Sequence, residues 1–231
     1  MSRPEILFSL FAPVTALAGV GPRIGRLIEK LAGPHVVDLL WPLPSGLVDR
    51  RFAPQIATAP DGVVATITVQ VEAHMPAYNR RAPYKIRCSD DTGTMHLIFF
   101  YANAEYLGRI LPEGEVRVVS GKVEHYDGTV QMTHPDHIGT PDDIARLKSV
   151  EPVYPMTGGL PPKPLIRAIR EAVSRAPNMV EWQDAAWISQ RGWTAWREAV
   201  QRAHAPDSEA ALQSDSPARA RLAYDELFAN Q

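Results

Sequence analysis

The stretch YKIRCSDDTGTMHLIFFY, residues 84–101, decides the fold, because it holds two strand patterns joined by a turn. YKIRCSD and TMHLIFFY alternate large apolar residues with polar or basic ones, which is typical of strands that bury one face. The Asp-Thr-Gly triplet between them has the composition of a tight turn. The stretch therefore predicts a β-hairpin whose inner face belongs to a core.

Further strand patterns lie on both sides of this hairpin. VVATITVQVEA (63–73) precedes it, and EVRVVSGKVEHY (115–126) and TVQMTH (129–134) follow it, joined by an Asp-Gly pair that favours a type I′ turn. ANAEYLGRIL (102–111) has the pattern of a short helix. Five strands with a helix between the third and the fourth are the arrangement of an OB-type barrel. An SH3-like barrel is the alternative, and the position of the helix favours the OB fold.

Helical patterns flank the predicted barrel. Apolar residues recur at helical spacing from Ile24 to Leu31, and the segments at both ends of the chain have helical patterns. We predict an α+β fold, a five-stranded OB-type β-barrel flanked by N-terminal helices and a C-terminal helical segment. The predicted divisions, in chain order, are an N-terminal helical region, the OB domain, a Pro/Gly-rich linker and a C-terminal helical segment, at 1–58, 59–140, 141–162 and 163–231.

The last predicted helix begins at Pro217, with Ser216 as its N-cap. Its apolar stripe reaches the end of the sequence without a C-cap signal. We expect from this pattern that the chain is the front piece of a longer protein. The stripe consists of Ala220, Ala223, Tyr224, Leu227 and Phe228.

Composition and charge narrow the function. The 231 residues carry 24 basic and 26 acidic side chains, so the formal charge of −2 gives no global basic field, and nucleic-acid binding requires a local patch. A single cysteine excludes a disulfide framework and a multi-cysteine zinc site. The sequence has neither a signal-peptide pattern nor an apolar run long enough to span a bilayer. We expect a cytoplasmic protein with no membrane partner.

The sequence contains no catalytic constellation. Gly121-Lys122-Val123 lies in a strand pattern, whereas a P-loop needs a hydroxyl residue after its Gly-Lys pair to reach Mg²⁺. Asp91-Thr92-Gly93 occurs once, whereas aspartic proteases need two such loops facing each other. We therefore predict that this chain hydrolyses no nucleotide and that the Asp-Thr-Gly triplet is a β-turn.

Three other motifs have a structural interpretation beside a functional one. His134-Pro135-Asp136-His137 offers metal ligands, but no helix aligns them, and we predict a turn. Cys88 lies near basic residues that would lower its thiol pKa, yet a small strand residue is favoured. The turn at 19–23 resembles half of a helix-hairpin-helix, in which loop amides meet a DNA phosphate, and a plain helix turn is the alternative.

A basic and aromatic segment is the positive signal for function. No acidic residue occurs from Ala73 to Ser89, which spans the loop after the first barrel strand and the second strand. In an OB barrel these parts line the usual nucleic-acid groove, where basic groups neutralise phosphates and rings stack on unpaired bases. The basic residues are Arg80, Arg81, Lys85 and Arg87, and the rings are Tyr78 and Tyr84.

A second group of rings follows the third barrel strand and consists of Phe99, Phe100, Tyr101 and Tyr106. Because side chains of a strand alternate between its faces, about half of these rings should fill the core, and only one of Phe99 and Phe100 should meet a ligand. A peptide groove is the alternative use of exposed aromatic rings. The basic run favours nucleic acid.

Short blocks along the chain occur in the order that they have in one protein family. By these blocks the chain resembles the N-terminal region of the RecG family of branch-migrating DNA helicases. The family's barrel is its wedge domain, which splits duplexes at a replication fork or Holliday junction while an ATP-driven motor pulls. The blocks are Gly19–Pro22, Asp38–Leu40, Leu43-Pro44, Asp49-Arg50, Asp91–Gly93, Phe99-Phe100, Gly121–Val123, Gln131-Met132, His134-Pro135, Pro152–Pro155, Ala220–Leu222 and Glu226-Leu227.

The resemblance implies contacts and partners. Phe100 corresponds to the first stacking ring of the family, and Tyr101 or Tyr106 to the second. The implied partners are branched DNA, single-stranded DNA at the branch and helicase motor domains in cis. ATP and Mg²⁺ would be bound by the motor of the full-length protein, with no cofactor in this chain, which we expect to be a monomer. The other expected DNA contacts are Tyr78, Arg80, Arg81, Lys85, Arg87 and Lys122.

Three functions compete at this point. The first is a junction-binding module of a helicase for DNA recombination and repair. The second is a generic single-strand-binding OB protein, which would not need the helical flanks. The third is a barrel for protein–protein interaction, which a comparison of fork and peptide binding would separate from the first. An independent enzyme has the least support.

Overall fold

The computed structural model of the chain describes residues 4–79 and 82–229. It contains two compact units, one formed by Val48–Val150 and the other by Met1–Leu47 together with Glu151–Gln231. The first unit contains the barrel, and the second is predominantly helical.

The regular elements carry labels in chain order. The α-helices are α1 (Pro22–Leu31), α2 (Ala104–Ile110), α3 (Ile144–Leu147), α4 (Pro162–Ser174), α5 (Ala185–Arg191), α6 (Trp196–His204) and α7 (Pro217–Ala229). The strands are β1 (Gly46–Asp49), β2 (Val64–Met75), β3 (Tyr84–Asp90), β4 (Gly93–Phe99), β5 (Val116–Tyr126), β6 (Thr129–Thr133), β7 (His137–Gly139) and β8 (Val150–Val153). Short 3₁₀ segments occupy Glu5–Leu10, Val14–Ala16, Val36–Leu40, Ile56–Thr58, Pro141–Asp143 and Glu209–Leu212.

Strands β2 to β6 form a closed barrel. Their order around the wall is β2, β3, β4, β6, β5, and β5 pairs with β2 to close it. The β4–β6 pair is parallel, and the other pairs within the barrel are antiparallel. With α2 between β4 and β5, this is the OB arrangement, so the predicted fold is confirmed and the SH3-like alternative is wrong.

The alternation of side chains along the strands fills the barrel core with apolar residues. Ile86 and Cys88 of β3 and Met95 and Leu97 of β4 are fully buried, while the residues between them face outwards or lie at the rim. As predicted, the Asp-Thr-Gly triplet forms the turn between β3 and β4. Oδ1 of Asp90 stabilises this turn by accepting hydrogen bonds from the backbone N–H groups of the second and third residues of the triplet, at 2.8 and 3.0 Å. This carboxylate closes the hairpin.

Gly121 lies inside β5, where a side chain would not fit. A Cβ atom at this position would stand 2.9 Å from Sδ of Met132, on the neighbouring strand β6. The Gly-Lys pair that a phosphate loop would use is therefore part of a closely packed strand contact.

Three strands lie outside the barrel, β1, β7 and β8, and none of them was predicted. The region 1–58 was expected to be helical, but β1 lies in it and pairs with β8 in a two-stranded sheet. Strand β7 extends the barrel sheet by pairing with β5. The prediction for β1 was wrong because four residues show no periodicity, and the partner strand follows the whole barrel in the sequence. The N-terminal helical patterns outside α1 form 3₁₀ segments.

The helical unit has its own apolar core. Ile28 of α1, Leu165 and Ile169 of α4, and Val200 of α6 are fully buried in it. The turn that precedes α1 is held by α4, because the backbone N–H of Ala18 donates to the Glu171 carboxylate at 2.8 Å. A guanidinium of α4, that of Arg167, also donates to the Ala18 carbonyl at 3.2 Å. This turn is thus packed as a helix connection.

Helix α7 begins at Pro217 as predicted, but its buried face differs from the predicted stripe. Arg221 and Leu222 are buried, whereas Leu227 and Phe228 are exposed. The Arg221 guanidinium is neutralised by the carboxylates of Glu181 and Asp225, each at 2.8 Å. The apolar pattern did not indicate this buried face, because two ion pairs allow an arginine to lie in the interior.

Across residues 4–79 and 82–229, no helix has the length and apolarity that crossing a lipid bilayer requires.

Candidate nucleic-acid interface

The end of the barrel at which β4 finishes carries most of the predicted site residues. Phe99 lies in the barrel core and is 9% exposed, whereas Phe100 turns outwards and is 44% exposed. The expectation that only one of these two rings is free is confirmed. Tyr84 lies opposite Phe99 and is buried, with its hydroxyl 2.8 Å from Nδ1 of His74, so its assignment to the ligand-facing rings was wrong. Strand alternation explains both results.

Two further exposed rings, Tyr101 and Tyr106, follow Phe100 in the chain. Tyr101 is fully exposed and has a left-handed backbone, with φ of 56°, which is uncommon for a tyrosine. Tyr106 is half-exposed in the first turn of α2, where its backbone N–H donates to the N-cap side chain of Asn103 at 3.0 Å. Both candidates for the second stacking ring therefore remain available on the surface.

Arg109 is a basic residue of this surface that the sequence analysis missed. Its guanidinium lies over the ring of Tyr106, 5.7 Å from the centroid, in a cation–π contact. The two residues are one helical turn apart in α2, so the helical spacing of a tyrosine and an arginine was the signal that could have identified the pair.

His134 is the second residue that the sequence analysis did not assign to the site. The backbone N–H of Phe100 donates a hydrogen bond to Nε2 of His134 at 3.1 Å, and the two ring centroids are 5.8 Å apart. The residue follows β6 directly, and β6 is parallel to β4, which places His134 beside the end of β4. The His-Pro-Asp-His motif bends the chain between β6 and β7, and its last histidine begins β7, while His134 supports the Phe100 backbone.

The loop between β2 and β3 opens at the same end of the barrel. Its Tyr78 side chain is largely exposed, and with Met75 and Lys85 it lines an open recess of about 660 Å³. Arg80 and Arg81, which the sequence analysis assigned to this loop's basic patch, lie outside the described residues.

The basic face of β3 is less positive than the sequence suggested. Nε of Arg87 lies 2.6 Å from the carboxylate of Glu72 on β2, so the cation has a partner on the adjacent strand. The hydrogen bond that Glu72 receives from Ser89, followed by the arginine's contribution, lowers the pKa of this carboxyl. Lys85 has no ion pair with any residue in the described part of the chain. The sequence analysis did not find this partner, because Glu72 lies just before the segment without acidic residues. Only the pairing of β2 with β3 brings it beside Arg87.

His96 reports the electrostatic potential of this face. It lies directly opposite Arg87 on β4, and its pKa is lowered by burial and then by the positive charges of Lys85 and Arg87. The two cations disfavour a further positive charge on this face, which is consistent with a face that attracts anions.

Lys122 is exposed in the middle of β5, where it pairs with Val64, the first residue of β2. Lys85 pairs with Ile98 of β4, and Ile98 pairs with Thr133 of β6. The register of β5 with β6 then places Lys122 next to Thr133. With strands about 4.8 Å apart, the two lysines are about 14 Å apart along the barrel wall. They flank the position at which Phe100 and His134 meet.

Two motifs from the sequence serve the structure of the barrel. Cys88 is fully buried, and burial raises the pKa of its thiol to about 12, so the favoured assignment as a core residue is confirmed. Asp136 of the His-Pro-Asp-His motif lies 3.0 Å from the buried guanidinium of Arg50. Among the described residues, no group of three or more His, Cys, Asp or Glu side chains is arranged to hold a metal ion.

Known proteins resemble the chain over nearly its whole length. The ATP-dependent DNA helicase RecG of Pasteurella multocida is 26% identical over 229 residues, and that of Haemophilus influenzae is 27% identical over 228 residues. Each match covers 94% of this chain and 32% of the relative, so the chain spans about a third of the length of these proteins.

A solved structure, that of RecG bound to a three-way DNA junction, has the same fold. It superposes with a TM-score of 0.79 and 21% sequence identity, over 99% of this chain and 31% of that one. The model of the RecG wedge domain family matches residues 13–176, which include the complete barrel and the rings at its end. The chain therefore belongs to the RecG wedge domain family.

Proposed function

We propose that this chain is the branched-DNA-binding module of a RecG-type ATP-dependent DNA helicase. The proposal is supported by its membership of the wedge family and by the RecG structure with a three-way DNA junction. The observation that carries the proposal is that the rings that follow β4, Phe100, Tyr101 and Tyr106, are all exposed, and that Lys85 pairs with Ile98 near the end of the same strand. Rings beside cations suit unpaired bases and their phosphates.

The proposed action is mechanical. Opening a base pair at a branch costs a few kcal/mol, and stacking of a base on an aromatic ring contributes about 1–3 kcal/mol. A base that leaves the duplex at the branch would stack on Phe100, and the next would stack on Tyr101 or Tyr106. The barrel would thus hold the junction open while the motor supplies the direction of movement.

The phosphate contacts in this proposal come from the basic residues around the rings. Lys85 and Lys122 flank the Phe100 position, and Arg109 lies over the ring of Tyr106. Arg87 contributes less, because its charge is shared with Glu72. Tyr78 extends the same surface into the loop between β2 and β3. Arg80 and Arg81 are proposed as DNA contacts from their place in the basic run of the sequence.

ATP binding belongs to other parts of the helicase in this proposal. The residues of this chain do not fit the nucleotide, since Gly121 and Lys122 lie in a paired strand and Val123 follows them. ATP and Mg²⁺ would be bound by motor domains in the part of the relatives that this chain does not span. We further propose that the protein acts as a monomer in the cytoplasm, in DNA repair and recombination.

A comparison of three DNA ligands tests the function. The chain is titrated with a fork, with single-stranded DNA and with plain duplex of matched length and sequence, at one salt concentration. The proposal predicts the tightest binding to the fork. Equal affinity for single strand and fork would favour a generic single-strand-binding OB protein, and absence of DNA binding would favour a barrel for protein interaction.

A further inference from the structure

His134 has a backbone conformation that directs its ring across the end of β4. Its φ is 47°, in the left-handed region, which histidine adopts more readily than most residues. Its backbone N–H donates to the carbonyl of Ile98 at 2.9 Å, which extends the pairing of β6 with β4 by one residue. The imidazole therefore lies beside the two residues that follow Ile98.

The hydrogen bond from Phe100 determines the tautomer of this imidazole. A backbone N–H only donates, so Nε2 of His134, 3.1 Å from the Phe100 nitrogen, must carry a lone pair rather than a proton. In the neutral ring the proton then resides on Nδ1. The Phe99 ring meets the imidazole edge-on, with the centroids 5.9 Å apart and an interplanar angle of 86°, and this contact limits the rotation of the imidazole.

The Nδ1 donor of His134 has no hydrogen-bond partner among residues 4–79 and 82–229, and the residue is exposed. This donor stands beside Phe100, whose ring is tilted by 35° relative to the imidazole. Asp136, two residues further along the same motif, pairs with Arg50 rather than with this donor. Most hydrogen bonds of proteins to DNA end on phosphate and sugar oxygens, which accept but do not donate.

We propose that Nδ1–H of His134 donates to a phosphodiester oxygen of the nucleotide whose base stacks on Phe100. This inference rests on the proposed function and adds a DNA-contacting residue to it. One imidazole then performs two tasks, since Nε2 fixes the Phe100 backbone and Nδ1 positions the phosphate. The ring and the phosphate of one nucleotide would be fixed relative to each other by a single side chain.

The tautomer is measured first, on the chain without DNA. Imidazole ¹⁵N shifts at mildly alkaline pH distinguish a proton on Nδ1 from a proton on Nε2, and the His134→Phe variant identifies the signals of this residue. The inference predicts the Nδ1–H form, with the Phe100 amide protected from hydrogen exchange. The Nε2–H form would overturn it. On fork binding the wild-type Nδ1 proton should become slow to exchange, a readout that requires no variant.

The phosphate contact is tested by a cycle of protein and DNA changes. Wild type and His134→Phe are each titrated with forks that carry a neutral methylphosphonate at one branch position at a time. At one position the methylphosphonate should weaken wild type about 5- to 10-fold more than it weakens His134→Phe. The inference would be overturned if the losses of affinity from the methylphosphonate and from His134→Phe were additive at every position and fork binding did not slow the exchange of the Nδ1 proton.

Phe100→Ala separates this inference from the proposed function. If Phe100→Ala and His134→Phe both leave fork binding at the wild-type level, the proposed function is wrong as well. If Phe100→Ala weakens fork binding while the cycle gives additive losses, only the role of His134 is wrong. His35→Phe, which changes an exposed histidine of the helical unit, is the matched control and should give no coupling with any phosphate.

Discussion

Phe99 and Phe100 are neighbours in the chain and lie on opposite sides of the barrel wall. Phe99 packs with Leu97 and Met132 in the core, while Phe100 contacts His134 on the outer side and leaves almost half of its surface in water. Burial of the first ring stabilises the barrel, but an exposed ring contributes little to folding. The second ring is therefore available for a ligand.

Substitution of the two rings by alanine should separate stability from binding. Phe99→Ala should lower the free energy of unfolding by about 3–5 kcal/mol, because it leaves a cavity in the barrel core. Phe100→Ala should lower it by less than about 1 kcal/mol. Urea denaturation of both variants measures this difference, and an equal loss of stability would mean that Phe100 is a structural residue.

Lys85 and Arg87 should differ in their effect on the salt dependence of DNA binding. Lys85→Ala should reduce the slope of log K against log salt by about one phosphate contact. Arg87→Ala should reduce it by less, because Glu72 already neutralises part of its charge. Glu72→Gln is the matched control. It should steepen the slope when it is introduced into wild type, and it should leave the slope unchanged when it is introduced into the Arg87→Ala variant. Equal effects of both alanine substitutions would contradict this account of the ion pair.

The pKa of His96 should respond to charges on the β3–β4 face. Lys85 and Arg87 disfavour the protonated imidazole, so Lys85→Ala should raise the pKa towards its ordinary value. Fork binding should also raise it, because phosphates favour the charged ring. An NMR titration of His96 measures both shifts, with Lys30→Ala in α1 as the control. An unchanged pKa in the complex would show that DNA does not follow this face.

His204 should make the helical unit sensitive to acid. Its pKa is lowered by burial, and its ring nitrogens lie 3.1 Å from the Tyr154 hydroxyl and 3.0 Å from the Leu40 carbonyl. The unfolded imidazole binds a proton near its ordinary pKa of about 6.5, while the folded one stays neutral to lower pH. The free energy of unfolding should therefore fall as pH drops below about 6.5, by up to about 1.4 kcal/mol per unit.

Urea denaturation between neutral and mildly acidic pH measures this effect. His204→Gln should lose this part of the pH dependence, because its amide is neutral throughout and still offers a donor to the Leu40 carbonyl. If the variant and wild type lose stability in parallel over this range, His204 is not responsible.

The barrel could be predicted from the sequence because its signals are local. Each barrel strand alternates along its own residues, and β3 was predicted at its observed bounds, Tyr84–Asp90. The short strand β1 could not be predicted, since its pairing partner β8 lies far along the chain. The burial of Arg221 in α7 could not be predicted, because it depends on carboxylates that folding brings close.

The residues of the candidate site could be predicted only in part, for the same reason. Alternation predicted that only one of Phe99 and Phe100 is free, the resemblance to the RecG family singled out Phe100, and the two further rings that it implied, Tyr101 and Tyr106, are both on the surface. His134 could not be assigned, because its contact with Phe100 requires the parallel pairing of β4 and β6. The same limitation hid Glu72 as the partner of Arg87, which depends on the pairing of β2 with β3.

The central claim is that Phe100 holds an unpaired base at a DNA branch, and one titration tests it most directly. Wild type, Phe100→Ala and Tyr126→Ala are titrated with a fork and with the matched duplex. Tyr126 is an exposed ring in the β5–β6 hairpin, at the opposite end of the parallel β4–β6 pair, so its variant should bind as wild type does. We predict that Phe100→Ala weakens fork binding by about 5- to 150-fold and leaves duplex binding nearly unchanged. Equal losses on fork and duplex, or no loss on the fork, would contradict the account.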